Sequence, residues 1–273
     1  QKKLHLFCTK KSAEENLINL DFSYQIGTNH LKIGQSLLRV TFVEGEGTPS
    51  QESFHTILNG IGQSDVLFTL PTSKDQLSMG HTEYLRKHFQ KPFLPMTFVG
   101  PSETLLLLTD HVPLMNVSEE LKVSMIYEKV STTLKTYQNW EPFEEVLFAG
   151  INPHAGEGGL LGTEEEVLKE SIGLLRQKFP QTQFLGPIPA DALHYSQKKT
   201  THQLCVYAYH DQGLTKFKAQ NRTLGVNQTL GLPFLRLSVD HGTAFDLYGK
   251  NRANALGCLY ALKYAINRHQ QQL

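Results

Sequence analysis

The sequence predicts an α/β protein whose mostly parallel sheet is covered on both faces. Two observations carry this expectation. Short apolar runs recur along the chain, and stretches with helical spacing of their apolar residues alternate with them. A third observation agrees: the segments just after these runs are polar, rich in glycine, and hold histidines.

Taken in order, residues 4–8 and 37–43 read as strands. Residues 50–62 read as a helix, with Phe54, Ile57, Leu58 and Ile61 at i, i+3, i+4 and i+7. The run 66–70 is a strand stopped by Pro71. Two more strands, 96–99 and 105–108, are split by Gly100-Pro101. From 118 to about 138 one long helix is expected, carrying Ile126, Val130, Leu134 and Tyr137 on one face. Residues 146–149 form a strand. Thr163 followed by Glu166 reads as a capping box, and its helix keeps Leu168, Ile172, Leu175 and Phe179 together until Pro180. Strands at 204–208 and 234–239 and a closing helix from 254 to about 269 complete the order. The stretches 44–49 and 139–145 resemble linkers between two lobes.

The chain has 273 residues, enough for two domains or one large α/β unit. Lys+Arg and Asp+Glu are both 26, so no basic excess speaks for a nucleic-acid groove. Three distant cysteines, Cys8, Cys205 and Cys258, fit a reducing compartment better than a disulfide scaffold. No apolar run reaches about 18 residues, so no membrane span is expected. No cleavable signal is visible, although the chain opens on Gln1. A cytoplasmic protein is the expectation.

Ligands of open α/β sheets bind beyond the carboxyl ends of strands. There the sequence places Pro71-Thr72-Ser73-Lys74 and Gly80-His81-Thr82-Glu83, then Thr109-Asp110-His111, then a glycine-rich stretch holding His154. Tyr209-His210-Asp211-Gln212-Gly213 and Asp240-His241-Gly242-Thr243-Ala244 follow two later strands. One such histidine is most simply a loop or capping residue. Several at the same end of parallel strands point to one cleft, and three imidazoles make a divalent-metal site with open, catalytic positions. The stretch 150–162 is neither a Walker A loop nor Gly-x-Gly-x-x-Gly. It is either a flexible connection or a place where backbone approaches a small molecule closely. Glu164, Glu165 and Glu166 are expected to serve the helix N-terminus, where negative charge is favoured. Arg236 lies inside an apolar strand, where an unpaired charge costs several kcal/mol. It should meet an anion, either a carboxylate side chain or a phosphate or carboxylate of a substrate.

Several motifs stand in register: Pro153-His154-Ala155-Gly156-Glu157-Gly158-Gly159, Gly162-Thr163-Glu164-Glu165, Gly186-Pro187-Ile188-Pro189-Ala190-Asp191, Tyr209-His210-Asp211-Gln212-Gly213, Gly231-Leu232-Pro233-Phe234-Leu235-Arg236 and Val239-Asp240-His241-Gly242-Thr243-Ala244. From about Val66 onward the chain closely resembles the PdxA family, the 4-hydroxythreonine-4-phosphate dehydrogenases of the vitamin B6 pathway. The resemblance implies one catalytic unit over 1–273, of two interleaved α/β/α lobes like those of isocitrate and isopropylmalate dehydrogenases. It implies a homodimer with the active site at the subunit interface. One divalent metal per site (Zn, Mg or Co) and NAD or NADP are the implied cofactors. By position His111, His154 and His210 match the metal ligands, one of which the partner supplies in the family. His81, Thr82, Lys218, Asn227 and Arg236 match substrate contacts. His241, Gly242, Thr243, Ala244, Asp246 and Asn254 look like the adenosine-binding loop of the wider superfamily. Lys218 and Asp211 are the candidates for proton transfer.

The implied reaction is oxidation and decarboxylation of 4-phosphooxy-L-threonine to 3-amino-2-oxopropyl phosphate. Two alternatives are a dehydrogenase of threonate or erythronate 4-phosphate, and a metal- and phosphate-binding homologue without catalysis. Two departures bear on them. The family's N-terminal Gly-Asp-Pro-Ala-Gly-Ile-Gly-Pro-type loop has no counterpart in this sequence, and its Pro-x-Asn-Lys motif reads Pro71-Thr72-Ser73-Lys74.

Overall fold

Strands form at the apolar runs and helices at the stripes between them. The computed structural model describes residues 5–8, 24–26, 30–33, 36–42, 48–62, 65–72, 77, 80–197, 202–250 and 252–272. The chain divides into two compact units, one of 1–62, 71–84 and 242–253, the other of 63–70, 85–241 and 254–273.

The first unit holds β1 (His5–Cys8), β2 (Tyr24–Ile26), β3 (His30–Ile33) and β4 (Ser36–Phe42), in the sheet order β1-β4-β3-β2. Helix α1 (Pro49–Gly60) starts at a true capping box: Thr48 Oγ1 accepts from Gln51 N–H at 3.3 Å, and Gln51 Oε1 accepts from Thr48 N–H at 3.0 Å. Helix α2 (Gly80–His88) opens on Gly80 at φ 69°, a left-handed conformation suited to glycine, and runs from the first unit into the second.

The second unit is built on eight strands: β5 (Val66–Thr69), β6 (Met96–Val99), β7 (Thr104–Leu107), β8 (Glu145–Ala149), β9 (Gln183–Ile188), β10 (Gln203–Tyr207), β11 (Val226–Thr229) and β12 (Leu235–Val239). Their order is β5-β12-β11-β6-β7-β10-β8-β9. Helices α3 (Val117–Glu120), α4 (Val123–Tyr137), α5 (Glu165–Lys178), α6 (Leu193–Ser196), α7 (His210–Asn221) and α8 (Leu256–Gln272) accompany them. Side chains alternate between the faces. Leu106, Val146, Phe148 and Val206 pack with Ile126 and Val130 of α4 and Leu168 and Ile172 of α5. Leu105, Leu107, Leu147 and Tyr207 turn the other way, toward Leu214 and Phe217 of α7. Cover on both faces is why β6, β7 and β10 read as unbroken apolar runs. Helix α8 sets Ala261 and Ala265 against Val226, Leu235, Leu237 and Val239.

Three expectations change. The helix expected over 118–138 is two, because Leu121 and Lys122 take extended backbone between α3 and α4. The capping box at Thr163 does not form: α5 starts at Glu165 with no side-chain cap, and Thr163 gives its carbonyl to Glu166 N–H at 3.1 Å. Most important is direction. Strands β7, β8 and β10 are parallel, so His111, His154 and His210 do leave from one edge. Strands β6, β11 and β12 pair antiparallel in succession, and β5 lies parallel to β12. Strands β5 and β12 therefore run opposite to β7, so the segments after them, with His81 and His241, leave from the other edge.

Candidate active site

The end of β7 is held by charges. Lys129, on the buried face of α4, donates to Leu108 O at 2.7 Å, and Thr109 Oγ1 donates to Ala208 O at 2.7 Å. Asp110 accepts from His111 N–H at 3.0 Å through Oδ1, and from Arg86 Nη2 at 2.5 Å through Oδ2. Burial pushes the Asp110 carboxyl up, but Lys129 and Arg86 together outweigh it and hold the group below the usual aspartate range. Burial pulls the Lys129 ammonium down to about 8, with Asp110 opposing. A depressed carboxylate stabilises the fold above its unfolded pKa near 3.8, and that share is lost as pH falls through the lower folded value. Asp110→Asn should therefore cost about 3–5 kcal/mol at pH 7, because buried Lys129 and half-buried Arg86 lose a counter-ion. Its urea-unfolding stability should also fall less steeply than the wild type's at acid pH; parallel curves would contradict this role.

His111 and His210 come together, with ring centroids 6.0 Å apart and planes tilted by 37°. Two imidazoles bound to one cation at about 2.1 Å each hold their centroids roughly 5–5.5 Å apart, so this pair is close to a shared-ligand arrangement. His210 opens α7, and its Nδ1 lies 3.3 Å from Oδ1 of the exposed Asp211. His154 does not join them. Its side chain is 71% exposed, with Nδ1 3.0 Å from Glu157 Oε1. Among the described residues no group of three His, Cys, Asp or Glu side chains gathers as one metal site.

His154 begins an unusual turn. His154, Ala155, Gly156, Glu157 and Gly158 all have left-handed backbone, with φ from 44° to 76°. For the three residues with a Cβ this costs roughly 1–2 kcal/mol each, so the surroundings must enforce it. Glu165, at 2% exposure, is at the base: its Oε1 accepts from Ile151 N–H at 3.0 Å and Asn152 N–H at 2.6 Å. Its Oε2 accepts from Asn152 Nδ2 at 3.0 Å. Glu164 takes the same amide at 2.7 Å. Two of the three glutamates assigned by sequence to the helix end thus serve the preceding loop.

From His210, α7 runs back across the sheet to Lys218, about 12 Å along its axis. There the Lys218 ammonium meets Asp240, at 3.2 Å from Oδ1 and 3.1 Å from the backbone carbonyl. Burial raises the Asp240 pKa, opposed by Lys218 and then by His210 and His241.

Arg236 is 3% exposed, and among the described residues it has no carboxylate partner. Nη1 donates to Thr229 Oγ1 at 3.0 Å and Nη2 to Thr69 Oγ1 at 2.7 Å, while the buried Nε has no partner among the described residues. Of the two expected anions, the side-chain carboxylate is not there. Desolvation pulls this guanidinium down to about 10. Register aligns Arg236, Thr229, Met96, Leu107 and Tyr207 in one row, the last before the loops of His111 and His210. Asn227 lies on the same face of β11 as Thr229, and its Oδ1 is buried without a donor.

In the first unit, the His81 ring is fixed edge-on by Phe54 at 5.0 Å, and Thr82 follows it on α2. Gly242, Thr243, Ala244 and Asp246 form an exposed segment, with Ala244 left-handed at φ 50°. In the second unit His241 is exposed, and Asn254 Oδ1 accepts from Leu256 N–H at 2.9 Å, which caps α8. Lys74 lies outside the described residues. Sequence reasoning missed Lys129, Glu165 and Asp240 as supports. Lys129 had a signal, since a lysine spaced between Ile126 and Val130 on a buried stripe needs an acceptor.

Among the described residues no helix is long and apolar enough to cross a membrane. The family model described as "Pyridoxal phosphate biosynthetic protein PdxA" matches residues 46–265. A curated relative from Sulfurimonas denitrificans, named 4-hydroxythreonine-4-phosphate dehydrogenase, is 34% identical over 211 residues, covering 75% of this chain and 67% of its own. Another of that name, from Azoarcus, is matched over only 55% of its length at 42% identity; the chain thus spans little more than half to two thirds of such relatives. The crystal structure of the Klebsiella pneumoniae enzyme of the same name superposes with TM-score 0.76 at 24% identity, over 97% of this chain and 89% of that one. At that identity the likeness establishes the fold.

Proposed function

We infer the activity from kinship and site together: the chain belongs to the PdxA family, and we propose that it oxidises and decarboxylates 4-phosphooxy-L-threonine with NAD. The observation that carries this is Arg236, a buried guanidinium that among the described residues is answered by threonine hydroxyls, with one N–H left over. A charge so placed favours an anion from outside the chain. Zero net charge with a few focused cations suits a small anionic metabolite.

Arg236 grips the phosphate or carboxylate, and Asn227 Oδ1 accepts a hydrogen bond from the substrate's amino or hydroxyl group. By family position His81 and Thr82 are further substrate contacts. The exposed Asp211 carboxylate, beside His210, is the better candidate to take up the hydroxyl proton; Lys218 can do so only as the neutral amine, not as the ammonium paired with Asp240. The secondary alcohol loses a hydride and a proton to give a β-keto acid, which then loses carbon dioxide. His111 and His210 would hold a divalent cation, which when bound polarises the hydroxyl and later the ketone oxygen. By family position Asp246 and Asn254 are the residues for the adenosine of NAD, whose nicotinamide accepts the hydride. The third metal ligand, His154, stands apart from the pair and is assigned to a neighbouring protomer's site. Exposed Leu114 and Met115 after His111, and Leu160 and Leu161 after His154, support a homodimer interface at this edge.

The test is NADH formation by the purified full chain with Zn, Mg or Co. The panel is 4-phosphooxy-L-threonine and the 4-phosphates of threonate and erythronate. NADH and carbon dioxide from the first are expected. Turnover confined to the others would move the substrate, as the altered Pro71-Thr72-Ser73-Lys74 motif allows. No NADH from any would leave a binding protein.

A further inference from the structure

The left-handed turn at His154 and the carboxylate beneath it have no place in the chemistry above, yet each accounts for the other. Glu165 is buried, and its oxygens are met by three N–H groups of Ile151 and Asn152, the two residues that lead into the turn. The turn also rests on it from above. Gly156 is buried, and a Cβ there would stand 2.6 Å from Glu165 Oε2, a collision. The rest of the loop is tied independently: Gly150 N–H donates to Ile188 O at 2.6 Å, Gln212 Nε2 donates to Gly150 O at 2.8 Å, and Leu161 N–H donates to Gly156 O at 3.1 Å. The strained residues, with His154 first among them, therefore lie between backbone anchored at both ends, and Glu165 meets both the entry and the middle.

We propose that Glu165 is a positioning residue for His154: its carboxylate enforces the left-handed turn and so fixes the direction in which the imidazole is presented. This rests on the reading of His154 as a metal ligand. A carboxamide at 165 keeps the shape but replaces one acceptor with a donor that faces N–H groups, so the turn loses its template and His154 its fixed bearing.

A double-mutant cycle tests this, with metal-free protein titrated with Co²⁺ by calorimetry and visible absorbance. Glu165→Gln should weaken Co²⁺ binding by about 10–100-fold, the usual effect of removing a residue that orients a ligand, and should alter the cobalt spectrum. In a His154→Ala background the same change should cost less than about 2-fold. Equal losses in both backgrounds, or none in either, would overturn the proposal. Should Glu165→Gln fail to fold, Glu165→Asp, which keeps the charge but shortens its reach, enters the same cycle. Failure of the metal reading looks different: His154→Ala would then bind Co²⁺ like the wild type. In that case amide exchange of segment 150–162 in metal-free protein decides, faster exchange in the Glu165 variant supporting the positioning role and unchanged exchange refuting it.

Discussion

Arg236→Met should lower kcat/KM for the phosphorylated substrate by roughly 30–5,000-fold and leave the fold as stable as before, or more so. The two halves have one cause. Truncating one partner of a buried, hydrogen-bonded charge pair costs about 2–5 kcal/mol of binding, which is that range in rate constant. In the free protein the same guanidinium is a desolvated cation held, among the described residues, by Thr229 and Thr69. Replacing such a charge by an apolar side chain of similar volume is often neutral or stabilising by 1–4 kcal/mol. Steady-state kinetics and urea unfolding of one variant read both. A variant that loses several kcal/mol of stability yet keeps its KM would return Arg236 to a structural role.

His210→Ala should abolish NADH formation without unfolding the chain. A residue that merely orients a metal ligand is worth about 10–100-fold in affinity, so the ligand itself should be worth more than about 100-fold. Chelator competition measures the affinity, and far-UV circular dichroism controls for folding. His154→Ala should do the same, but with a further signature. If His154 serves the neighbouring protomer's site, mixing His154→Ala and His210→Ala subunits creates heterodimers with one intact site. Random mixing would restore about a quarter of wild-type activity. No recovery after verified subunit exchange would place all three imidazoles within one protomer.

Much of the fold was legible because the central strands are buried on both faces and so announce themselves as apolar runs. Strand β11 did not. Val226-Asn227-Gln228-Thr229 has one apolar residue, and it is a strand because β6 and β12 flank it. Strand β9 hid behind Gly186-Pro187, a turn signal that an edge strand tolerates. At the site, sequence located the histidines but not the direction of their strands. Antiparallel pairing is a property of contacts between distant segments, and no local pattern encodes it. The Arg236 argument was energetic: a charge within an apolar run needs an answer wherever the run lies, and among the described residues the answer is two threonine hydroxyls in place of the expected carboxylate. Glu165 escaped because helix-end propensity is a local rule, and the donors it serves lie about a dozen residues upstream.

Strand β12 sits between β5 and β11, and among the described residues it is the only ladder neighbour of β5. The paired residues are about 170 positions apart along the chain. At elongation speeds of about 5–20 residues per second, a nascent chain waits roughly ten to thirty seconds between synthesis of these two strands. Throughout that interval the Val66–Thr69 segment is an orphan edge emerging from the ribosome, able to pair with the wrong neighbour. The hairpin of β6 and β7, adjacent in sequence, can close at once and hold a place for the rest. Completion of the sheet at β5 thus waits for the latest strand to be made, the interval in which a holdase chaperone would have most to shield.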